Sequence, residues 1–203
     1  MFRFFDILLN MKYTKADFRP ISWNGYGAVL EVLQKKIQAY IKKEGITIDT
    51  IVPIMRGGSF AGTYLAYALR LLRIDPIQFK YLRRNSALTL VKLATPHLKK
   101  SDQVILVVEN NHCFGGTAKA AIKEIKSKAP NATILYAAVF MDASNMTVVG
   151  ADKIFYGMLS NETGGLSKEN MRRKGIKPGF VLFPWENFTE ELAAINELEY
   201  SYN

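Results

Sequence analysis

Residues 104–108, Val-Ile-Leu-Val-Val, form an uninterrupted apolar run that stops at Glu109-Asn110 and is followed by the pair Gly115-Gly116 and a helix-forming stretch at 118–128. A strand with no polar face is buried on both sides, the situation of a central strand in a parallel sheet covered by helices. Parallel neighbours need crossovers, so strands and helices must alternate along the chain. The same unit occurs earlier: residues 49–54 read as a buried strand halted by Arg56-Gly57-Gly58, after which Tyr64, Leu65, Ala68, Leu69 and Leu72 recur at helical spacing.

The remaining segments fit that alternation. Ser22 is placed to cap a helix whose Tyr26, Val29, Leu33, Ile37 and Tyr40 share one face and which Gly45 ends. Further strands are expected at 77–82, 88–93, 134–140, 153–158 and 181–183, and a terminal helix at 189–198. A basic, polar connection through Arg83, Arg84, Asn85 and Ser86 separates two of these strands, the turn after the central strand is expected to span 109–117, and residues 160–179 read as a Gly-, Ser- and Lys-rich loop. The fold class is therefore α/β, a mainly parallel central sheet flanked by helices.

The chain's 203 residues suit one core without disulfide or metal staples, and residues 12–203 read as a single domain behind an N-terminal extension at 1–11. That extension is apolar but short, carries Asp6 and lacks a small-residue cleavage pattern. Cys113 is the only cysteine, which excludes an internal disulfide and fits a reducing, cytoplasmic compartment. No run approaches the roughly 20 apolar residues of a membrane helix. A net charge of +9 favours an anionic ligand or surface.

The two glycine turns supply the chemistry. A helix start leaves backbone N–H groups unpaired and partly positive, so a turn of small residues between strand and helix is a phosphate cradle. Arg56-Gly57-Gly58-Ser59 and Phe114-Gly115-Gly116-Thr117 are two such turns, both expected at the same edge of the sheet, where a ligand with phosphate at each end would bridge them. Neither has the Walker or the dinucleotide glycine pattern. Glu109, just past the buried strand, is placed to accept hydrogen bonds from hydroxyls or to face Mg²⁺.

The stretch from Val104 through Glu109, Asn110 and Cys113 to Gly115, Gly116 and Thr117 resembles the phosphoribosyl pyrophosphate (PRPP) motif of the type I phosphoribosyltransferases. Residues 51–58 resemble the pyrophosphate loop of the bacterial xanthine and hypoxanthine-guanine members, Ile21-Ser22-Trp23 their opening segment, and Phe180 to Glu186 their closing Phe-Pro-Trp-Glu strand. The resemblance implies that Arg56, Gly57 and Gly58 hold the departing pyrophosphate, that Glu109 and Asn110 face the ribose hydroxyls, and that Phe114, Gly115, Gly116 and Thr117 wrap the 5′-phosphate. It places Arg83 and Arg84 at a mobile loop, Phe155 and Tyr156 against the base, and implies a small hood region, Mg²⁺ and a homodimer. PRPP or a nucleoside monophosphate and a nucleobase-like acceptor are the implied partners.

Two positions depart from the pattern. Asn110 stands where the motif has its second acid, and Cys113 where the 6-oxopurine enzymes have an acid that serves the base; Met141 or Asp142 falls where those enzymes carry a lysine. An enzyme transferring phosphoribose and a non-catalytic PRPP or nucleotide sensor therefore both stay open. Other chemistries have weaker support: His112 and Cys113 are adjacent on the chain and do not form a catalytic pair by adjacency alone. The basic run through Arg172, Arg173 and Lys174 has no interleaved aromatics and reads as a solvated face, not a nucleic-acid grip.

Overall fold

The computed structural model describes residues 13–84 and 87–200; the expected extension at 1–11 lies outside them. Along the chain the elements are β1 (Phe18–Pro20), α1 (Trp23–Glu44), β2 (Thr50–Met55), α2 (Gly58–Ala68), β3 (Ile77–Arg84), β4 (Ala87–Ala94) and β5 (Val104–His112). They continue as α3 (Gly116–Lys128), β6 (Thr133–Asp142), β7 (Lys153–Ser160), α4 (Lys168–Lys174), β8 (Phe180–Leu182) and α5 (Phe188–Tyr200). Helix α1 begins as expected, with the Ser22 side chain accepting from Gly25 N at 3.1 Å, and ends at Gly45 in the left-handed conformation.

Six strands form the central sheet in the order β4-β3-β2-β5-β6-β7. All neighbours are parallel except β3 and β4, an antiparallel hairpin at the edge. The apolar run in β5 is explained by its alternation. Leu106 and Val108 pack with Tyr26, Leu33 and Ile37 of α1 and Leu65 of α2. Ile105 and Val107 pack on the other face with Ala121, Ile122 and Ile125 of α3. Each such side chain, fully removed from water, contributes about 1.5–3 kcal/mol.

Three features differ from the sequence expectation. Strand β5 does not stop at Val108 but continues through Glu109, Asn110, Asn111 and His112, because β6 runs on beside it and pairs Glu109 with Ala138 and His112 with Met141. The expected turn at 109–117 therefore shrinks to the residues after His112. Residues 160–179 are not all loop: Ser167 accepts from Asn170 N and Gly175 adopts φ 65°, bracketing α4. Its last turn carries Arg172, Arg173 and Lys174, cations placed favourably at a helix C-terminus. Finally, β8 pairs in parallel with β1, Phe18 opposite Phe180, in a separate two-stranded sheet that stands as the small hood.

The amino ends of the strands are tied together on the side opposite the glycine turns. Asp49 Oδ2 accepts from Gln103 N at 2.7 Å and Val104 N at 2.9 Å, and Arg73 pairs with the buried Asp102 at 2.6 Å. No helix among the described residues is long and apolar enough to cross a membrane.

Candidate functional site

From β2 the chain moves outward through β3 and β4, and from β5 it moves the other way through β6 and β7. The reversal falls between the neighbours β2 and β5, and the crevice beyond their carboxyl ends is where open α/β sheets bind ligands. A cleft of about 320 Å³ opens there. Met55 at the end of β2, Gly57 and Gly58 after it, Glu109 and Asn110 of β5 and Thr117 of α3 line it, so residues from both glycine turns converge on one space.

The close approach of the turns depends on glycine. A Cβ on Gly58 would lie 2.5 Å from the carbonyl oxygen of Val108, so only glycine lets α2 start this close to β5. Gly115 has φ 73°, a left-handed conformation that side chains resist. Helices α1 and α4 both begin under a serine cap, whereas neither α2 nor α3 has a side-chain cap. Apart from Ser59 N, which donates to the Arg56 carbonyl, their first N–H groups have no side-chain cap and can meet an incoming anion. Arg56, Phe114, Gly115 and Gly116 sit in these turns; the Arg56 carbonyl accepts from Ser59 N and Oγ at 3.1 and 2.7 Å, and the Phe114 ring is exposed.

Glu109 is held from behind. The Tyr136 hydroxyl, on a fully buried ring, donates to Glu109 Oε2 and lies 2.8 Å from Nδ1 of the buried His112. Since the phenol proton goes to the carboxylate, His112 must donate from Nδ1. Burial, together with the neighbouring Glu109 charge, pushes the Tyr136 phenol well above its ordinary pKa and keeps it a donor. Asn110 is 4% exposed, and its Oδ1 accepts from the Tyr26 hydroxyl at 2.8 Å. One acceptor position of its amide oxygen is thus taken by α1, while the residue itself lines the cleft.

The expectations at Cys113, Phe155, Tyr156, Arg83 and Arg84 fare differently. The Cys113 thiol donates to Glu162 at 3.3 Å, and burial beside that carboxyl raises its pKa, so it is held as a thiol. Phe155 is buried in the core against Tyr40 with ring centroids 5.3 Å apart, and the Tyr156 ring lies under Lys36 Nζ at 4.3 Å. Neither lines the cleft, because β7 turns both toward helices instead of toward the carboxyl edge. The Arg83 and Arg84 side chains lie outside the described residues.

The aromatic wall comes instead from Phe18, Phe79, Phe180 and Phe183. Four glutamates also line the cleft, Glu109, Glu162, Glu186 and Glu191, and no lysine or arginine among the described residues does. Burial raises the Glu186 carboxyl to a pKa of about 7 against the pull of Phe183 N, with Glu191 and Glu162 adding to the rise. Glu191 is likewise raised by burial and by Glu190, with Arg56 drawing it back down. Glu162 and Glu191 carry no motif that marks them in the sequence, and Glu186, the last residue of the Phe-Pro-Trp-Glu segment, was not expected in the site. Among the described residues no group of three or more His, Cys, Asp or Glu side chains converges to hold a metal ion.

No family model and no curated protein sequence matches the chain. Solved structures do. The xanthine-guanine-hypoxanthine phosphoribosyltransferase of Helicobacter pylori superposes with TM-score 0.64 at 19% identity, covering 87% of this chain and 99% of that one. A purine phosphoribosyltransferase from Pyrococcus horikoshii gives TM-score 0.61 at 20% identity, covering 85% and 95%. A hypothetical protein from Neisseria gonorrhoeae, solved with bound ppGpp, gives 0.62 at 16%, covering 93% and 98%. With its mainly parallel sheet, its hood and both glycine turns at one edge, the chain has the fold of the type I phosphoribosyltransferases.

Proposed function

We propose that the protein binds PRPP across the two glycine turns and transfers its 5-phosphoribosyl group to a nitrogen acceptor, releasing pyrophosphate. The observation that carries this reading is the convergence of Gly57, Gly58, Glu109 and Thr117 on one cleft at the sheet reversal. In the reaction the bond from the anomeric carbon to pyrophosphate breaks, the bond to the acceptor nitrogen forms, and the acceptor's N–H proton is released. Positive charge builds on the ribose ring as pyrophosphate leaves. The chain's contribution is positioning and electrostatics: the uncapped start of α3 holds the 5′-phosphate, the start of α2 with Arg56 holds pyrophosphate, and Glu109 accepts from the ribose hydroxyls.

Mg²⁺ fits this arrangement through one carboxylate, Glu109, since magnesium takes one or two carboxylates beside substrate phosphates and keeps several waters. Bound there, it would neutralise charge between pyrophosphate and the ribose hydroxyls, and it would offset the repulsion between an anionic substrate and the acidic lining. A cytoplasmic homodimer belongs to the same proposal, and light scattering after size-exclusion chromatography reads the dimer.

A second reading, a nucleotide sensor without turnover, is supported by Asn110, which brings no negative charge and whose oxygen is taken by Tyr26. The ppGpp bound to the Neisseria protein belongs to a neighbour of the same fold and points the same way. Calorimetric titration with PRPP and Mg²⁺, followed by a pyrophosphate assay over a base panel, separates the two. Base-dependent release supports the transferase, while binding without release over the whole panel supports the sensor.

A further inference from the structure

Helix α5 is fixed to the rest of the molecule at its start. Trp185, three residues before it, stacks on Phe60 in the first turn of α2 with ring centroids 4.4 Å apart, and Phe188, its first residue, meets the Phe18 ring of β1 edge to face at 5.2 Å. Asn187 Oδ1 caps it, accepting from Thr189 N at 2.9 Å and Glu190 N at 3.3 Å. From that anchor the helix passes along the cleft. Glu191 and Ile195, four apart and so on one face, both line it, whereas Glu190 is exposed. An amphipathic helix turns its carboxylates to water, yet Glu191 is half-buried on the inward face, and no lysine or arginine among the described residues lines the cleft with it. It shares that space with Gly57 and Gly58 at the uncapped, partly positive start of α2. Burial and Glu190 raise its carboxyl's pKa, and the charge of Arg56 draws it back down. With α5 seated the cleft measures about 320 Å³, the small end for ligand pockets, whereas the proposed reaction holds PRPP and its acceptor together.

We infer that α5 is an autoinhibitory lid: seated, it sets the Glu191 carboxylate at the pyrophosphate end of the cleft in the ligand's place, and an incoming pyrophosphate group displaces it. The inference rests on the reading of the α2 start as the pyrophosphate cradle. A carboxylate at that position repels the ligand's phosphates, and more strongly in a half-buried cleft than in open water. The seated lid leaves only a fraction of the molecules competent to bind, so the apparent affinity falls by that fraction, and whatever loosens the lid raises it. Glu191 supplies the charge and Ile195 the apolar seat, so the two contributions are separable. Because the anchoring contacts lie at Trp185 and Phe188, α5 pivots about its first turn while the central sheet stays in place.

The experiment uses the full-length protein and two probes, inorganic pyrophosphate and PRPP, each with Mg²⁺. Hydrogen exchange read by mass spectrometry follows the α5 amides, and calorimetry compares wild type with Glu191→Gln and Ile195→Ser. The expected result is that saturating pyrophosphate speeds exchange in α5 by at least about threefold, and that each variant binds pyrophosphate about three- to tenfold more tightly than wild type. Binding to wild type with α5 exchange unchanged or slowed would overturn the inference and leave the PRPP reading standing, and that arm needs no variant to fold. Folded variants that bind no more tightly than wild type would overturn it too. No binding of either probe to wild type or variants would remove the PRPP reading and the lid together.

Discussion

Glu109 is the residue on which the proposed chemistry turns, and its placement is not its own doing. The Tyr136 hydroxyl donates to it from the buried side, and His112 in turn donates to the phenol oxygen. Replacing the carboxylate by an amide should slow pyrophosphate release by about 10²- to 10³-fold in Glu109→Gln, measured under saturating PRPP. Tyr136→Phe strands the His112 N–H and should cost about 1–3 kcal/mol in urea unfolding. Glu186 carries a pH signature. Its folded pKa, about 7, exceeds its unfolded value, so the folded state holds the extra proton between those values. Its contribution to stability is present at low pH and is lost as pH rises through about 7. Melting temperatures of wild type and Glu186→Gln should therefore diverge between pH 5 and about 7, with the wild type losing ground; parallel curves would contradict the raised carboxyl. Glu109 with Gly115 and Gly116, and Gly57 with Gly58, were legible because each set lies within a short continuous stretch of sequence. Glu162 was not, since its partner Asn111 is 51 residues away in sequence and only the fold brings them together.

At the level of elements, the starts of α2 and α3 show what a glycine does in each setting. Gly58→Ala drives a methyl group to 2.5 Å from the Val108 carbonyl, and overpacking against backbone should destabilise the protein by about 1–3 kcal/mol and weaken PRPP binding. Gly27, inside α1, has open space where a Cβ would go, and Gly27→Ala should stabilise by about 0.5–1 kcal/mol. Urea unfolding of the pair checks both signs. Strand and helix order followed from periodicity, as α1 illustrates with Tyr26, Val29, Leu33 and Ile37 all buried. Two boundaries did not. Strand β5 runs past its apolar core because β6 keeps pairing with it, and pairing leaves no mark on a single strand's sequence. Helix α4 carried its signals, Ser167 and Gly175, but its seven residues bury nothing, so no apolar stripe announced it. Strand β1, three residues long, owes its strand pairing to β8 some 160 residues on.

For the molecule as a whole, anchoring and function are separated along the strands. Asp49 and the Arg73–Asp102 pair fasten the amino ends of the sheet, and the carboxyl ends are left to the cleft. The overall basic charge, +9, contrasts with a cleft lined by four glutamates. Composition alone suggested an anionic partner, and averaging over the surface concealed the local sign. Under the proposed function an anionic ligand would enter against these carboxylates through the two helix starts and a divalent cation, so the proposal carries Mg²⁺ dependence as a property of the whole site. The central claim is tested most directly by calorimetric titration of PRPP with and without Mg²⁺. The account predicts saturable binding that requires Mg²⁺ and is lost in Gly58→Ala. A flat titration in the presence of Mg²⁺, from protein shown to be folded, would contradict it.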